Sequence, residues 1–137
     1  MTVAYLGLGS NLGDREGRLA EARRLLGERG ARLLRASRVV DTEPFGVTDQ
    51  PRFLNQVIEV EWEGSARELL ETARAVEVAV GRRPTYRWGP REIDVDILLF
   101  GDQTVSEPGL VIPHPGMWER PFVMEPLAEL RPDLAPP

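Results

Sequence analysis

Apolar residues along this chain recur in two rhythms, one close to every second position and one close to every 3.6. Residues 2–8 (Thr-Val-Ala-Tyr-Leu-Gly-Leu) are nearly all apolar and predict a buried strand. Gly9 to Gly13 predict a turn. Asp14 can then cap a helix through about Glu28, with Leu19, Ala22, Leu25 and Leu26 on one face and Gly30 at its end. The β-branched stretch 33–41 predicts a second strand, and Thr42 to Arg52, with Pro44, Gly46 and Pro51, a loop. Residues 53–63 predict a third strand with Ile58, Val60 and Trp62 inward and Glu59, Glu61 and Glu63 on a wet face. Ser65 and Glu68 form a capping box. It opens a helix that turns Leu69, Leu70, Ala73, Val76 and Val80 inward and stops at Gly81. A loop over 82–91 leads to a fourth strand at 93–100.

Eight of the twelve prolines fall between Pro108 and Pro137, so that region predicts irregular chain with one short helix around 123–130. The order strand, helix, strand, strand, helix, strand is that of an α+β, ferredoxin-like βαββαβ sandwich, here with a Pro-rich C-terminal extension. At 137 residues, the chain fits one domain, 1–137.

Composition narrows the chemistry. With no Cys and a single His, His114, thiol nucleophiles, Cys-based metal sites and multi-His sites are excluded. All 17 basic residues are Arg, which excludes a Walker-A lysine and Schiff-base chemistry. A net charge of −5 argues against a nucleic-acid partner. The longest apolar run, Ile97 to Phe100, is too short for a membrane span. No basic leader precedes an apolar stretch, so the expected location is the cytoplasm. Nothing in the chain demands more than a monomer.

Three features carry candidate chemistry. In Asp94-Val95-Asp96, residues i and i+2 of a strand face the same way, so both carboxylates project from one face while Ile93, Val95 and Ile97 bury the other. Such hard oxygen ligands suit Mg²⁺ shared with phosphate oxygens; the plainer alternative is a solvated strand face. The preceding loop holds Arg82, Arg83, Arg87 and Arg91 and no acid, a local reversal of sign that suits phosphate. It also carries Trp88. His114 is held between Pro113 and Pro115 with Arg120 downstream, where a phosphate contact and a structural role are both open. Asn55 can read a planar heterocycle, with Phe53 and Phe122 stacking on its faces, though both rings suit a core equally. Gly7, Gly9 and Gly13 do not form a dinucleotide fingerprint, because the third glycine comes one residue late. They are expected to allow a tight turn.

Taken together, four stretches resemble one family. They are Ala4 to Gly13, Phe53-Leu54-Asn55-Gln56-Val57, the string Arg87-Trp88-Gly89-Pro90-Arg91-Glu92-Ile93-Asp94-Val95-Asp96-Ile97-Leu98, and Ile112-Pro113-His114-Pro115 with Arg120-Pro121-Phe122-Val123. The family is 6-hydroxymethyl-7,8-dihydropterin pyrophosphokinase. The resemblance implies that ATP gives its pyrophosphoryl group to the pterin hydroxymethyl oxygen, releasing AMP. By the same resemblance, Asp94 and Asp96 hold two Mg²⁺ ions and Arg82 and Arg91 clamp phosphates. Glu77, His114 and Arg120 join in ATP binding. Thr42, Pro44, Phe53, Asn55, Trp88 and Phe122 form the pterin site. Phe53 stands where members often carry Tyr, and Pro115 where others carry an aromatic. A non-catalytic anion-binding regulatory module and a single-stranded RNA module are rival classes; release of AMP separates the enzyme from both.

Overall fold

The first strand outruns its apolar stretch. In a computed structural model, which describes residues 1–11, 14–42, 52–81 and 93–134, β1 covers Thr2–Ser10 and lies at the centre of the sheet. It is followed by α1 (Arg15–Glu28), β2 (Arg32–Ala36), β3 (Val40–Thr42), β4 (Phe53–Trp62), α2 (Ala66–Val80) and β5 (Asp94–Phe100). A hairpin of β6 (Val105–Glu107) and β7 (Leu110–Ile112), a 3₁₀ turn at Met117–Glu119 and α3 (Pro121–Leu130) complete the described chain. The sheet order is β2-β4-β1-β5, every neighbouring pair antiparallel, with β3 continuing alongside β4.

Capping chemistry places both long helices. Asp14 Oδ1 accepts the Gly17 N–H at 3.0 Å to open α1. At α2 the capping box closes both ways: Glu68 N–H donates to Ser65 Oγ at 3.1 Å and Ser65 N–H to Glu68 Oε1 at 2.8 Å. Gly81 ends α2 at φ +116°, a left-handed conformation that glycine takes without a Cβ penalty. Leu19, Ala22 and Leu26 of α1 and Leu69, Ala73, Val76 and Val80 of α2 pack on one sheet face with Ala4, Leu6, Leu8, Ile58, Val60, Val95 and Ile97. Arg18 Nη1 donates to Val80 O at 3.0 Å and ties the two helices together.

Three expectations change. The second strand is two strands, because the chain breaks step at Ser37. Ser37 Oγ accepts the Val57 N–H at 2.9 Å in place of a backbone carbonyl, while Ser37 N–H donates to Val57 O at 2.8 Å. The Pro-rich region is not mostly irregular: besides its hairpin, it sets α3 and Met117 on the second sheet face. There Leu127 and Leu130 bury Tyr5, Val57, Leu98 and Leu99. Consequently Glu59 is not on a wet face; it is 8% exposed beneath α3. Its carboxylate accepts the Tyr5 hydroxyl at 2.5 Å and a two-pronged Arg35 guanidinium at 2.9 and 3.0 Å. Among the described residues no helix is long and apolar enough to cross a membrane.

Candidate active site on the second sheet face

Register, more than any single motif, assembles the site. β1 places Gly9 opposite Asp94 and Gly7 opposite Asp96 on one side, and Gly9 opposite Asn55 and Gly7 opposite Val57 on the other. Directly opposed residues of antiparallel strands share a face. The two aspartates and Asn55 therefore flank a strip of sheet that has no side chains in its middle. The expectation of a turn from Gly9 is corrected: Gly9, like Gly7, lies within β1, while Gly13 lies outside the described residues. A Cβ at Gly9 would sit 2.9 Å from Asn55 Oδ1 and 3.7 Å from Phe53 Cδ1, so glycine is required for Asn55 to lie across the strand.

Asp94 and Asp96 are half-buried while Ile93, Val95 and Ile97 are buried, as the alternation predicts. Two residues of strand separate the acids by roughly 6.5 Å along the chain. Among the described residues no group of three or more His, Asp or Glu side chains could hold a metal. A strand-borne pair is nonetheless a fitting donor set for a hard cation that draws its remaining ligands from phosphate and water. Behind the strand, Glu77 is buried on α2. Its Oε2 accepts the Val95 N–H at 2.8 Å and a bond from Arg74 Nη1 at 3.0 Å.

Across the glycine strip, Asn55 Nδ2 donates to Thr42 Oγ1 at 2.9 Å, and Thr42 lies opposite Phe53 in the β3–β4 ladder. Phe53 is half-buried. Phe122 stands in the first turn of α3, which packs against β3 and β4 on this same face. The other end is closed by the segment after β7. Its His114 N–H donates at 3.0 Å to Leu98 O, at the residue where β5 bulges against β1. His114 Nδ1 accepts the Gly116 N–H at 3.2 Å, so a neutral ring carries its proton on Nε2. Burial lowers the pKa of His114; the nearby charge of Asp96 opposes that shift and Arg120 reinforces it. A Cβ at Gly116 would come within 3.0 Å of the Arg120 guanidinium, so glycine there lets Arg120 fold over the turn.

The structure thus gathers Asp94, Asp96, Asn55, Thr42 and Phe53 along one sheet face, with His114 and Arg120 at its edge and Phe122 on the covering helix. Glu77 reaches β5 from α2. Arg82, Arg91, Trp88 and Pro44 lie outside the described residues. Sequence reasoning missed two participants. Gly9 has the sequence surroundings of a turn residue, and only the strand pairing reveals what lies beside it. Arg74 carried a signal, its spacing of three from Glu77 on a helix.

A pair of carboxylates on one side of a glycine strip, and an amide beside an aromatic ring on the other, suit an enzyme that joins a polyphosphate to a flat heterocycle. Comparison with known proteins makes the class specific. Residues 5–132 match the family described as 7,8-dihydro-6-hydroxymethylpterin-pyrophosphokinase (HPPK), and the chain belongs to that family. It is 43% identical over 129 residues to the 2-amino-4-hydroxy-6-hydroxymethyldihydropteridine pyrophosphokinase of Bacillus subtilis, covering 93% of this chain and 77% of that one. It is 46% identical over 135 residues to the pyrophosphokinase of the same name from Methylorubrum extorquens, covering 98% and 85%. Among solved structures, the Plasmodium falciparum HPPK-DHPS crystal structure with SDX-DHP superposes with a TM-score of 0.71 at 14% identity, covering 98% of this chain and 41% of that one. That likeness shows the mixed helix and antiparallel-sheet fold.

Proposed function

We propose that this chain carries out its family's reaction on the glycine-floored face of the sheet. As a member of that family, the chain transfers the pyrophosphoryl group of ATP to the hydroxymethyl group of 6-hydroxymethyl-7,8-dihydropterin, a step of folate synthesis, and releases AMP. The hydroxyl oxygen bonds to the β-phosphorus, and the bond from that phosphorus to the α,β-bridging oxygen breaks. AMP leaves with that oxygen, and the hydroxyl proton passes to solvent or to a neighbouring carboxylate.

The observation that carries the assignment of roles is the register that sets Gly9 between Asp94 and Asn55. It supports a nucleotide side and a pterin side a strand apart, with glycines of β1 and no β1 side chain between them. Asp94 and Asp96 would hold Mg²⁺, two ions by family resemblance, and bound magnesium would supply charge neutralisation across the phosphates. Arg120 and His114 border the same end and suit the phosphates or the nucleotide. Arg82 and Arg91 are proposed as phosphate clamps on the resemblance of the Arg87–Leu98 string. Glu77 would aid ATP binding through Val95, the contact it makes here. On the pterin side Asn55 and Thr42 offer a fixed donor and acceptor pair, Phe53 and Phe122 offer rings, and Pro44 and Trp88 join by resemblance. Holding both reactants in line accounts for roughly 7–11 kcal/mol of barrier lowering when geometry is good. The strand order and helix placement support reading the fold as a ferredoxin-like βαββαβ sandwich with a Pro-rich C-terminal extension.

The test is chromatographic. Protein, Mg-ATP and hydroxymethyldihydropterin should yield AMP and pterin diphosphate in equal amounts. The Asp96→Ala variant should melt cooperatively yet release no AMP. ADP as the product would refute the reaction, and normal turnover by Asp96→Ala would refute the metal assignment.

A further inference from the structure

Among the described residues β5 is an edge strand paired only with β1, so alternate backbone groups on its outer side have no described strand to bond. At Val95, between the two aspartates, α2 fills that place. Val95 N–H donates to Glu77 Oε2 at 2.8 Å, and Val95 O accepts from Arg74 Nη1 at 2.9 Å. Arg74 Nη1 also donates to the same Glu77 oxygen at 3.0 Å, which closes the ring. Two side chains one helical turn apart thus imitate a neighbouring strand for one residue. Burying the Glu77 carboxylate is costly, and an arginine with a backbone N–H offsets that cost.

We infer that Arg74 and Glu77 are positioning residues whose clasp on Val95 fixes the aim and spacing of the Asp94 and Asp96 carboxylates. The inference rests on the metal reading above and extends it to two residues on the far side of the strand. Successive strand side chains alternate about the backbone, so pinning both polar groups of Val95 sets the direction of the Cβ on each side of it. Released, an edge strand this close to its N-terminal end would rotate, and the two carboxylates would no longer present a fixed pair. Groups that orient metal ligands commonly govern affinity 10- to 100-fold.

Mn²⁺ titrated into the protein with α,β-methylene-ATP, followed by electron paramagnetic resonance, measures cation affinity without turnover. Hydrogen exchange at the Val95 amide measures the clasp. Arg74→Met removes an exposed side chain, and Glu77→Gln keeps an acceptor for Val95 while losing the ion pair. Both should melt cooperatively and exchange the Val95 amide faster. Both should bind Mn²⁺ roughly tenfold more weakly, with pterin affinity unchanged. Arg74→Lys should recover most of the Mn²⁺ affinity. Wild-type Mn²⁺ affinity in either folded variant, alongside faster Val95 exchange, would overturn the inference and leave the metal reading standing. Absence of Mn²⁺ binding by the wild-type protein would overturn both.

Discussion

Gly9 shows how much one missing side chain can decide. Its neighbours across both ladders are Asp94 and Asn55, and the place its Cβ would take is 2.9 Å from Asn55 Oδ1. That is closer than real Cβ contacts come, and the obstacle is an amide already bonded to Thr42. Gly9→Ala should therefore push Asn55 from its place while the β1 ladder survives. Displacing one buried, hydrogen-bonded polar group costs about 1–3 kcal/mol, so the pterin KM should rise roughly 5- to 150-fold. The KM for Mg-ATP should change little. Steady-state kinetics with each substrate varied in turn checks the split; equal losses for both substrates would disprove a pterin-side effect. At this scale the sequence was informative where chemistry is local. Asp94 and Asp96 announce themselves by spacing, whereas the meaning of Gly9 depends on a register set by residues some 45 and 85 positions away.

The same divide appears among elements. α2 was legible from end to end, because its capping box, apolar spacing and terminal glycine are all local signals. The break between β2 and β3 was not, because it depends on Ser37 lending its hydroxyl to Val57 on another strand. α3 lies close to the bounds its sequence predicts, Pro121–Leu130 against 123–130, but the sheet face it covers is not legible there. Prolines discourage helix in general; Pro121 occupies the first turn, where no intrahelical donor is lost, whereas Pro126, with no N–H to donate, lies inside the helix and is buried there. The helix then covers the face that the alternation in β4 assigned to water. If α3 is an integral layer, trimming its core side should weaken the whole molecule. Leu127 is fully buried against the sheet. Leu127→Ala should lower the unfolding free energy by roughly 2–5 kcal/mol in a single urea transition. A loss near zero, or a separate early transition, would mean that α3 is a loosely docked tail. Because Phe122 sits on the same helix, that variant should also bind pterin more weakly when measured at native temperatures.

Across the whole molecule, α3, β1, β2 and β4 are joined by one ionisable network. Tyr5 donates to Glu59, Arg35 grips Glu59 and also donates to Leu130 O at 2.9 Å, and Arg131 lies over the Tyr5 ring at 5.4 Å. Arg35 holds the Glu59 carboxyl below its ordinary value near 4.5, against the opposing effect of burial. Burial, and then the bond to Glu59, raise the Tyr5 phenol above its ordinary 10.0. The two shifts bound a plateau of stability. A carboxylate whose folded pKa is depressed contributes fully above its unfolded pKa, and that contribution fades as pH falls from about 4.5 toward the folded value. A phenol whose folded pKa is raised contributes fully below about 10, and its contribution fades as the unfolded chain ionises above that pH. Burial also lowers the pKa of His114, so holding its ring neutral costs stability as pH falls below its ordinary 6.5. Urea midpoints should therefore be flat only between roughly pH 7.5 and 9 and fall on either side. In Glu59→Gln the plateau should be lower, since Arg35 loses its partner, and the acid slope shallower. Tyr5→Phe should leave the acid slope largely in place, because Arg35 remains, but should flatten the fall above pH 10. An unchanged alkaline limb in Tyr5→Phe would show that other groups govern it, and an unchanged acid limb in Glu59→Gln would show the same for the carboxylate.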